Sequence, residues 1–299
     1  MHEITILSGK GGTGKTSIAA ALMALAENAV LCDCDVDAAN LYLLLNPDIL
    51  ETHPFQSGSK AWIDPLKCNT CGICMDECRF NAIHCSNGVY KVDPFACEGC
   101  HLCKRICPVD AITIHEFSRN KWFISDTRFG PFVHARMSAG EENSGRLVSV
   151  IRKKARELSR DFEKEFIITD GPPGIGCPVI SSLSGTQMVL MVIEPSLSGI
   201  HDARRLFELT ESFDLPSCAI INKYNLSTGL TKEAEAFLTS HNIPLLARIP
   251  FDENFTKAMV EGKTLIEYAP GSESVRILKE VWLQLKSVKG MSHVTKTNL

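Results

Sequence analysis

The 299-residue sequence lacks long hydrophobic runs and lacks an excess of charge of either sign. No stretch reaches the roughly 18 apolar residues that predict a membrane span, and the amino-terminal segment lacks a signal-peptide layout. The 31 Lys and Arg residues are balanced by 35 Asp and Glu, so no overall basic field favours nucleic acid. These absences predict a cytoplasmic globular protein with no nucleic-acid partner and no stable membrane anchor.

Cysteine, by contrast, is abundant, with 13 residues in the chain. Disulfides are rare in a reducing compartment, so the cysteines need another explanation. Eight of them form two ladders with the spacing C-x2-C-x2-C-x3-C, which is the bacterial ferredoxin pattern for [4Fe–4S] clusters. The ladders are Cys68, Cys71, Cys74 and Cys78, then Cys97, Cys100, Cys103 and Cys107.

The two ladders belong to an internal repeat with an offset of 29 residues. In the ferredoxin pattern the fourth cysteine of each ladder binds the other cluster. The predicted ligand sets are therefore Cys68, Cys71, Cys74 and Cys107 for one cluster, and Cys78, Cys97, Cys100 and Cys103 for the other. Two zinc sites are the alternative, but the third cysteine step of each ladder fits tetrahedral zinc poorly. Asn87-Gly88 predicts a hairpin turn between the repeats.

A glycine-rich loop follows the first predicted strand and precedes a helical run from Ser17 to Glu27. Its sequence fits GxxxxGK[ST], and this strand–loop–helix context indicates a phosphate-binding loop. Backbone N–H groups of such a loop surround phosphates, while Lys15 reaches the β and γ phosphates and Thr16 binds Mg²⁺. The predicted nucleotide-binding residues here are Gly11, Gly12, Thr13, Gly14, Lys15, Thr16 and Ser17.

The loop GKGGTGKTS resembles the deviant Walker A loop of the MinD/ParA/Mrp superfamily, whose early lysine corresponds to Lys10. The resemblance implies that Lys10 crosses a dimer interface to the partner's nucleotide. The segment DCDVDAAN after the next strand resembles the family's DxDxxxxN segment. By that match, Asp35 lies near Mg²⁺ and orients or activates the attacking water.

Two later segments extend the resemblance. Asp170 in DGPPG resembles the Walker B and switch II segment, which implies that it holds Mg²⁺ through water. Asn222 ends a further strand and by match contacts the adenine edge, and Pro250 fits the family's second adenine loop. The implied cofactors are ATP or ADP, Mg²⁺ and the two [4Fe–4S] clusters.

The predicted fold is α/β, a P-loop NTPase of the MinD-like kind with a mostly parallel sheet and an inserted α+β, bacterial-ferredoxin-like domain. The ATPase part is expected at 1–57 and 118–290, the insertion at 58–117 and a tail at 291–299. The apolar stripe from Ser272 to Lys286 predicts a packed final helix.

Several features keep two interpretations each. Cys177 is either a partly buried thiol or an extra metal or cluster site at a dimer interface. The glycine-rich segment 129–145 predicts either a loop near the nucleotide or partner or an ordinary surface loop. The charge run from Arg152 to Arg156 predicts a solvated helix face. Packing roles are expected for Cys32, Cys34, Cys85 and Cys218.

The leading hypothesis is a slow, partner-stimulated ATPase that forms a homodimer, or a heterodimer with a related ATPase. It would couple nucleotide state to electron transfer, or to metal or iron–sulfur cluster assembly, with a redox or cluster-binding partner protein. The alternative is a MinD/ParA-like positioning ATPase whose clusters are structural or sense redox state. A plain electron carrier with structural nucleotide is a third hypothesis.

Overall fold

The computed structural model describes residues 1–56, 58–117, 120–137 and 143–287. The predicted tail at 291–299 and residues 138–142 of the glycine-rich segment lie outside these ranges. The described residues divide into two compact units. We call residues 1–52, 122–136 and those from 144 onward the sheet unit, and 53–117, 120–121, 137 and 143 the cysteine unit.

The strands alternate with helices through most of the sheet unit. The strands are β1 (His2–Ser8), β2 (Ala29–Asp33), β3 (Asp48–Phe55), β4 (Gly58–Ile63), β5 (Ile83–Ser86), β6 (Val89–Val92), β7 (Ile112–Phe117), β8 (Asn120–Asp126), β9 (Phe132–Arg136), β10 (Phe166–Pro173), β11 (Met188–Ile193), β12 (Ser217–Asn222) and β13 (Leu245–Ile249). The α-helices are α1 (Lys15–Leu25), α2 (Leu41–Leu45), α3 (Ile73–Asp76), α4 (Leu102–Ile106), α5 (Ser144–Asp161), α6 (Cys177–Leu183), α7 (Leu197–Ser212), α8 (Thr228–Ser240), α9 (Asn254–Val260), α10 (Leu265–Tyr268) and α11 (Glu273–Ser287). A 3-10 helix spans Tyr224–Leu226.

The largest sheet within the described residues has the order β13-β12-β11-β1-β10-β2-β9-β8-β3. Pairing is parallel at every step from β13 to β9. Strands β2 and β11 are buried along their whole length, as expected for parallel strands covered on both faces. The α/β fold with a mostly parallel sheet is therefore confirmed. Parallel order brings the ends of β1, β2, β10 and β12 to one edge of the sheet.

Helices bury both faces of this sheet. One apolar core joins α1, α2 and α11 to one face, and the other joins α6, α7 and α8 to the opposite face. The apolar stripe of α11 is buried, as the helical spacing predicts: Val275, Leu278, Val281, Trp282 and Leu285. None of the helices in the described part of the chain combines the length and apolar character needed to cross a membrane.

The prediction of a solvated charge run on α5 is wrong for Arg152, which is only 3% exposed. Its guanidinium donates to Glu3 Oε1 at 2.8 Å from Nε and to the carbonyls of Ser181 and Ser184. Arg156 donates to the other oxygen, Glu3 Oε2, at 2.8 Å. A charged helix face therefore turns toward the start of β1 because a buried carboxylate there compensates it.

The packing prediction holds for three of four cysteines. Cys32, Cys34 and Cys218 are buried. Cys85 is exposed, and the prediction of a packing role for it is wrong. It lies on β5, a strand of a two-stranded sheet that has one face in solvent.

The cysteine unit contains two antiparallel strand pairs, β4 with β7 and β5 with β6. Asn87 and Gly88 join β5 to β6 with positive φ angles of 54° and 76°, so the predicted hairpin turn is confirmed. The small core combines buried aliphatic residues with the ladder cysteines. Its members include Ala61, Ile63, Ala82, Ile83, Ile112 and Cys97.

Candidate functional site

The glycine-rich loop lies between the end of β1 at Ser8 and the start of α1 at Lys15. Gly12 and Gly14 have φ angles of 82° and 90°, which L-residues rarely adopt. Because Gly14 is the amino-terminal cap, α1 begins two residues before the predicted Ser17. The loop therefore ends directly on a helix amino terminus, where free N–H groups and the helix dipole favour an anion.

Lys15 is buried among acidic side chains contributed by neighbouring strands. Its Nζ donates to Asp170 Oδ1 at 2.7 Å and lies 3.6 Å from Asp35 Oδ2. The relative exposures are 5% for Lys15, 8% for Asp35 and 0% for Asp170. The structure thus brings together three residues that the sequence places far apart in the chain.

Burial and mutual charge shift the pKa values in this cluster. Burial alone lowers the pKa of Lys15, but the carboxylates of Asp170 and Asp35 outweigh it and leave that pKa raised. Burial raises the pKa of Asp170 despite the nearby Lys15 charge. Burial, and then the charge of Asp170, raise the pKa of Asp33 well above its usual range. One ammonium therefore faces more carboxylates than it neutralises.

These acidic groups fit a divalent cation. Asp170 Oδ2 and Asp33 Oδ2 are buried and accept no hydrogen bond. An orphaned buried carboxylate oxygen is costly unless a cation or water completes it. Oxygen ligands at a phosphate-binding loop are the kind that Mg²⁺ prefers. With Thr16 in the cavity wall beside them, Asp35 and Asp170 are the residues that would hold it.

A cavity of about 400 Å³ opens above the loop. The predicted residues that line it are Gly11, Gly12, Thr13, Gly14, Lys15, Thr16, Ser17, Asp35, Asn222 and Pro250. Asp170 lies behind Lys15, at the 2.7 Å contact, and Lys10 lies outside the wall. The edge of the parallel sheet thus collects most of the predicted nucleotide residues around one space.

The cavity wall also contains residues that the sequence reasoning missed. From α9 come Phe255, Thr256 and Met259, and from α2 and the loop before it come Ala38, Asn40 and Leu44. Phe255 and Met259 are four residues apart, so they share one helix face. That spacing, directly after the loop at Pro250, was the available signal. An apolar wall of this kind suits a planar base.

Lys10 is held within its own chain. Its Nζ donates to Ser196 Oγ at 2.9 Å and lies 3.2 Å from Glu194 Oε2. The other carboxylate oxygen, Glu194 Oε1, lies 3.5 Å from Lys223 Nζ, which donates to the carbonyl of Gly12 at 2.9 Å. One carboxylate therefore links Lys10 with a second lysine that supports the loop backbone.

Asn222 supports the loop from the end of β12. Its Nδ2 donates to the carbonyl of Thr13 at 2.7 Å. A Cβ atom added to Gly14 would lie only 2.4 Å from the same nitrogen. Glycine is therefore required at position 14 by close packing as well as by its φ angle, and the predicted contact of Asn222 with the adenine edge stays a prediction.

Cys177 is the first residue of α6 and is exposed. The prediction of a partly buried thiol is therefore wrong, because the start of the helix leaves the sheet surface. The alternative, an extra metal or cluster site, stays a prediction.

Two small cavities in the cysteine unit are lined by the ladder cysteines. One has Cys68, Cys71, Cys74 and Cys107 in its wall. The other has Cys78, Cys97, Cys100 and Cys103, with Cys74 in addition. The grouping follows the two predicted ligand sets, in which the fourth cysteine of each ladder crosses to the other set.

The fourth cysteines receive equivalent backbone hydrogen bonds. Ala82 N–H donates to Cys78 Sγ at 3.4 Å, and Ala111 N–H donates to Cys107 Sγ at 3.3 Å. Such donors stabilise a sulfur that carries negative charge. Within the described residues, no group of three or more His, Cys, Asp or Glu side chains is arranged to hold a single metal ion. The cysteines of a [4Fe–4S] cluster, by contrast, bind different irons of one cube.

The family model described as the CobQ/CobB/MinD/ParA nucleotide binding domain matches residues 4–266. The chain belongs to this family, and it is a P-loop protein of the MinD/ParA type. It is 31% identical over 258 residues to an uncharacterized protein of Methanocaldococcus jannaschii, MJ0578, covering 83% of this chain and 86% of the relative.

Two further similarities concern MinD. The septum site-determining protein MinD of Thermotoga maritima is 25% identical over 275 residues, covering 87% of this chain and 79% of MinD. The solved structure of MinD with Mg-ADP from Pyrococcus horikoshii has a TM-score of 0.59 at 18% identity. That alignment covers 98% of this chain and 99% of the other, so the MinD-like fold is shared.

Proposed function

We propose that this protein is an ATP-driven switch of the MinD/ParA type, which binds ATP with Mg²⁺, dimerises and hydrolyses the nucleotide slowly. The observation that carries the proposal is Lys15, buried at the cavity floor between Asp170 and Asp35. Family membership and similarity to MinD proteins favour this positioning-type function over the coupling hypothesis that led the sequence analysis.

The proposed chemistry assigns separate tasks to the chain's own residues. Lys15 and the N–H groups of the loop bind the phosphates and neutralise developing negative charge. Asp35 holds the attacking water and accepts its proton, since its carboxylate is at the cavity wall. Mg²⁺, held through Thr16 and Asp170, would supply charge neutralisation at the phosphates.

Lys10 is proposed to act across a dimer of two copies or of this chain with a related ATPase. In the single chain its ammonium is bound by Glu194 and Ser196, so dimer closure requires Lys10 to exchange these partners for the nucleotide of the other subunit. The exchange is favourable only when a polyphosphate offers more negative charge than one carboxylate.

ATP hydrolysis and ATP-dependent dimerisation test this proposal. Asp35→Ala should abolish phosphate release while ATP still binds, and Lys10→Ala should abolish the ATP-dependent dimer measured by light scattering. The matched controls are Asp161→Ala and Lys232→Ala, which change exposed residues on α5 and α8. Hydrolysis by Asp35→Ala at the wild-type rate would overturn the assigned role of Asp35.

We further propose that the cysteine unit is a separately folded insertion, residues 58–117, that holds two [4Fe–4S] clusters with the two ligand sets already described. As part of a MinD/ParA-like switch, the clusters would have a structural or redox-sensing role. The support is the grouping of the cysteines around two cavities and the matched N–H donors to Cys78 and Cys107.

Iron analysis tests the cluster proposal. Anaerobically prepared protein should contain about eight irons, and Cys71→Ser or Cys100→Ser should lower the content by about half. Cys85→Ser is the control, because this exposed thiol lies in the same unit but in neither ligand set. Protein with two zinc ions and no iron would overturn the proposal.

A second candidate function is electron transfer or cluster assembly with a redox or cluster-binding partner protein. One observation favours it: Cys71 and Cys100 are exposed, so both sites reach the surface of the unit where a partner docks. Reduction potentials measured with and without ATP distinguish the candidates. Potentials that change on ATP binding support electron transfer, and potentials that ignore ATP favour the switch alone.

A further inference from the structure

Strand β4 braces the loop of the second cysteine ladder. Lys60 Nζ donates to the carbonyl of Cys97 at 2.6 Å, and Ser59 Oγ lies 2.6 Å from His101 Nε2. The packing is tight, because a Cβ atom on Gly99 would lie 2.2 Å from the carbonyl oxygen of Ser59. A half-buried ammonium is thus fixed directly on the backbone of a predicted cluster ligand.

The internal repeat identifies the residue that takes this place at the first ladder. The repeat extends upstream of the cysteines, since Asp64 and Asp93 each accept a hydrogen bond from the N–H two residues later. The offset of 29 residues that aligns Cys68 with Cys97 aligns Lys60 with Val89. The first ladder therefore has an exposed, uncharged valine where the second has an ammonium.

We infer that Lys60 tunes the reduction potential of one cluster only, the one held by Cys78, Cys97, Cys100 and Cys103. The inference rests on the two clusters proposed above. Reduction adds one negative charge to a cluster, so a nearby positive charge stabilises the reduced state and raises the potential. Val89 provides no such stabilisation to the other cluster.

Acidic residues near the second site act in the opposite direction but more weakly. Glu77 and Glu98 are in the wall of the same cavity, and both are exposed. Water and salt screen exposed carboxylates strongly, whereas the Lys60 ammonium is half-buried and hydrogen-bonded to the ligand residue itself. The lysine is therefore the charge whose removal changes the potential most.

The consequence is a direction for electron exchange within the unit. When one electron enters from an external reductant, one cluster passes from the 2+ to the 1+ state. Exchange oxidises the first cluster back to 2+ and reduces the second to 1+, with no net change in charge. Lys60 shifts this equilibrium toward the cluster bound by Cys97.

Reciprocal substitutions test the inference in the intact chain. Lys60→Val removes the charge from the second site, and Val89→Lys adds one at the equivalent position of the first. The two potentials are measured by a dithionite titration followed by electron paramagnetic resonance. The control Lys91→Val removes an exposed lysine from β6, beside Val89 but outside both cavity walls.

Lys60→Val should lower one potential by about 59 mV, a tenfold change in a one-electron equilibrium, and leave the other unchanged. Val89→Lys should raise the other potential by a similar amount, and Lys60→Arg should keep the wild-type values. Equal shifts of both potentials, or no shift with iron retained, would overturn the inference. If Lys60→Val loses iron, Val89→Lys alone decides it. Wild-type protein without iron would instead refute the cluster proposal itself.

Discussion

Replacing the glycines of the phosphate-binding loop separates two costs that the structure assigns to different positions. Gly14→Ala forces an alanine to a φ of 90° and places its Cβ 2.4 Å from Asn222 Nδ2. Gly12→Ala faces a φ of 82° but meets no atom within 4 Å. Gly11→Ala meets no atom within 4 Å and lies outside the left-handed region, so it is the matched control in the same loop.

The expected losses in free energy of unfolding follow from these differences. A left-handed conformation costs an L-residue about 1–2 kcal/mol, which is the whole expected cost of Gly12→Ala. Gly14→Ala also displaces the Asn222 amide from the Thr13 carbonyl, adding about 0.5–1.5 kcal/mol. Gly11→Ala should be neutral or stabilising by up to about 1 kcal/mol, because alanine restricts the unfolded chain.

Urea unfolding of the nucleotide-free protein measures these values. The double variant Gly14→Ala, Asn222→Ala keeps the strain but removes the clash. Its cost relative to Asn222→Ala alone should therefore fall to that of Gly12→Ala. A Gly14→Ala cost that the second substitution leaves unchanged would refute the steric reasoning, and so would an equal cost at Gly11.

Three further predictions concern buried charges. Glu3→Gln should destabilise the protein by about 3 kcal/mol or more in urea unfolding, because it leaves Arg152 buried without its counter-charge; the exposed-pair control Glu157→Gln should cost under about 1 kcal/mol. Asp33→Asn should raise the melting temperature at pH 7, because burial raises the pKa of Asp33 and stability is lost as pH rises through that pKa; a gain that persists below the usual aspartate pKa would contradict this. Burial lowers the pKa of His134 to about 4, so protonation favours unfolding and stability falls as pH drops from about 6.5 toward 4; His134→Phe should remove that slope from pH-dependent melts.

Sequence patterns were sufficient where the physical constraint is local. The phosphate-binding loop needs glycines at fixed positions before a helix, and the structure has Gly12 and Gly14 at positive φ, with α1 beginning at Lys15. The hairpin at Asn87-Gly88 is similar, because a two-residue turn with positive φ at both positions selects these residue types.

Residues that act through distant partners were less accessible. The charge run containing Arg152 has the spacing of a solvated face, and nothing local indicates that Glu3, 149 positions away, turns it inward. The wall formed by Phe255 and Met259 depends on where α9 packs. Cys85 has the same problem, since its exposure depends on which face of a small sheet is covered.

The sequence by itself determined the phosphate-binding loop, the alternation that specifies a parallel sheet, and the two cysteine ladders with their repeat. Each of these is a short-range pattern whose spacing is set by backbone geometry. Only the tertiary structure decided which charges meet. It brought Lys15 to Asp170 and Asp35, and Lys10 to Glu194. Such pairings form because parallel strands end at one edge and because burial makes an unpaired charge too costly to leave alone.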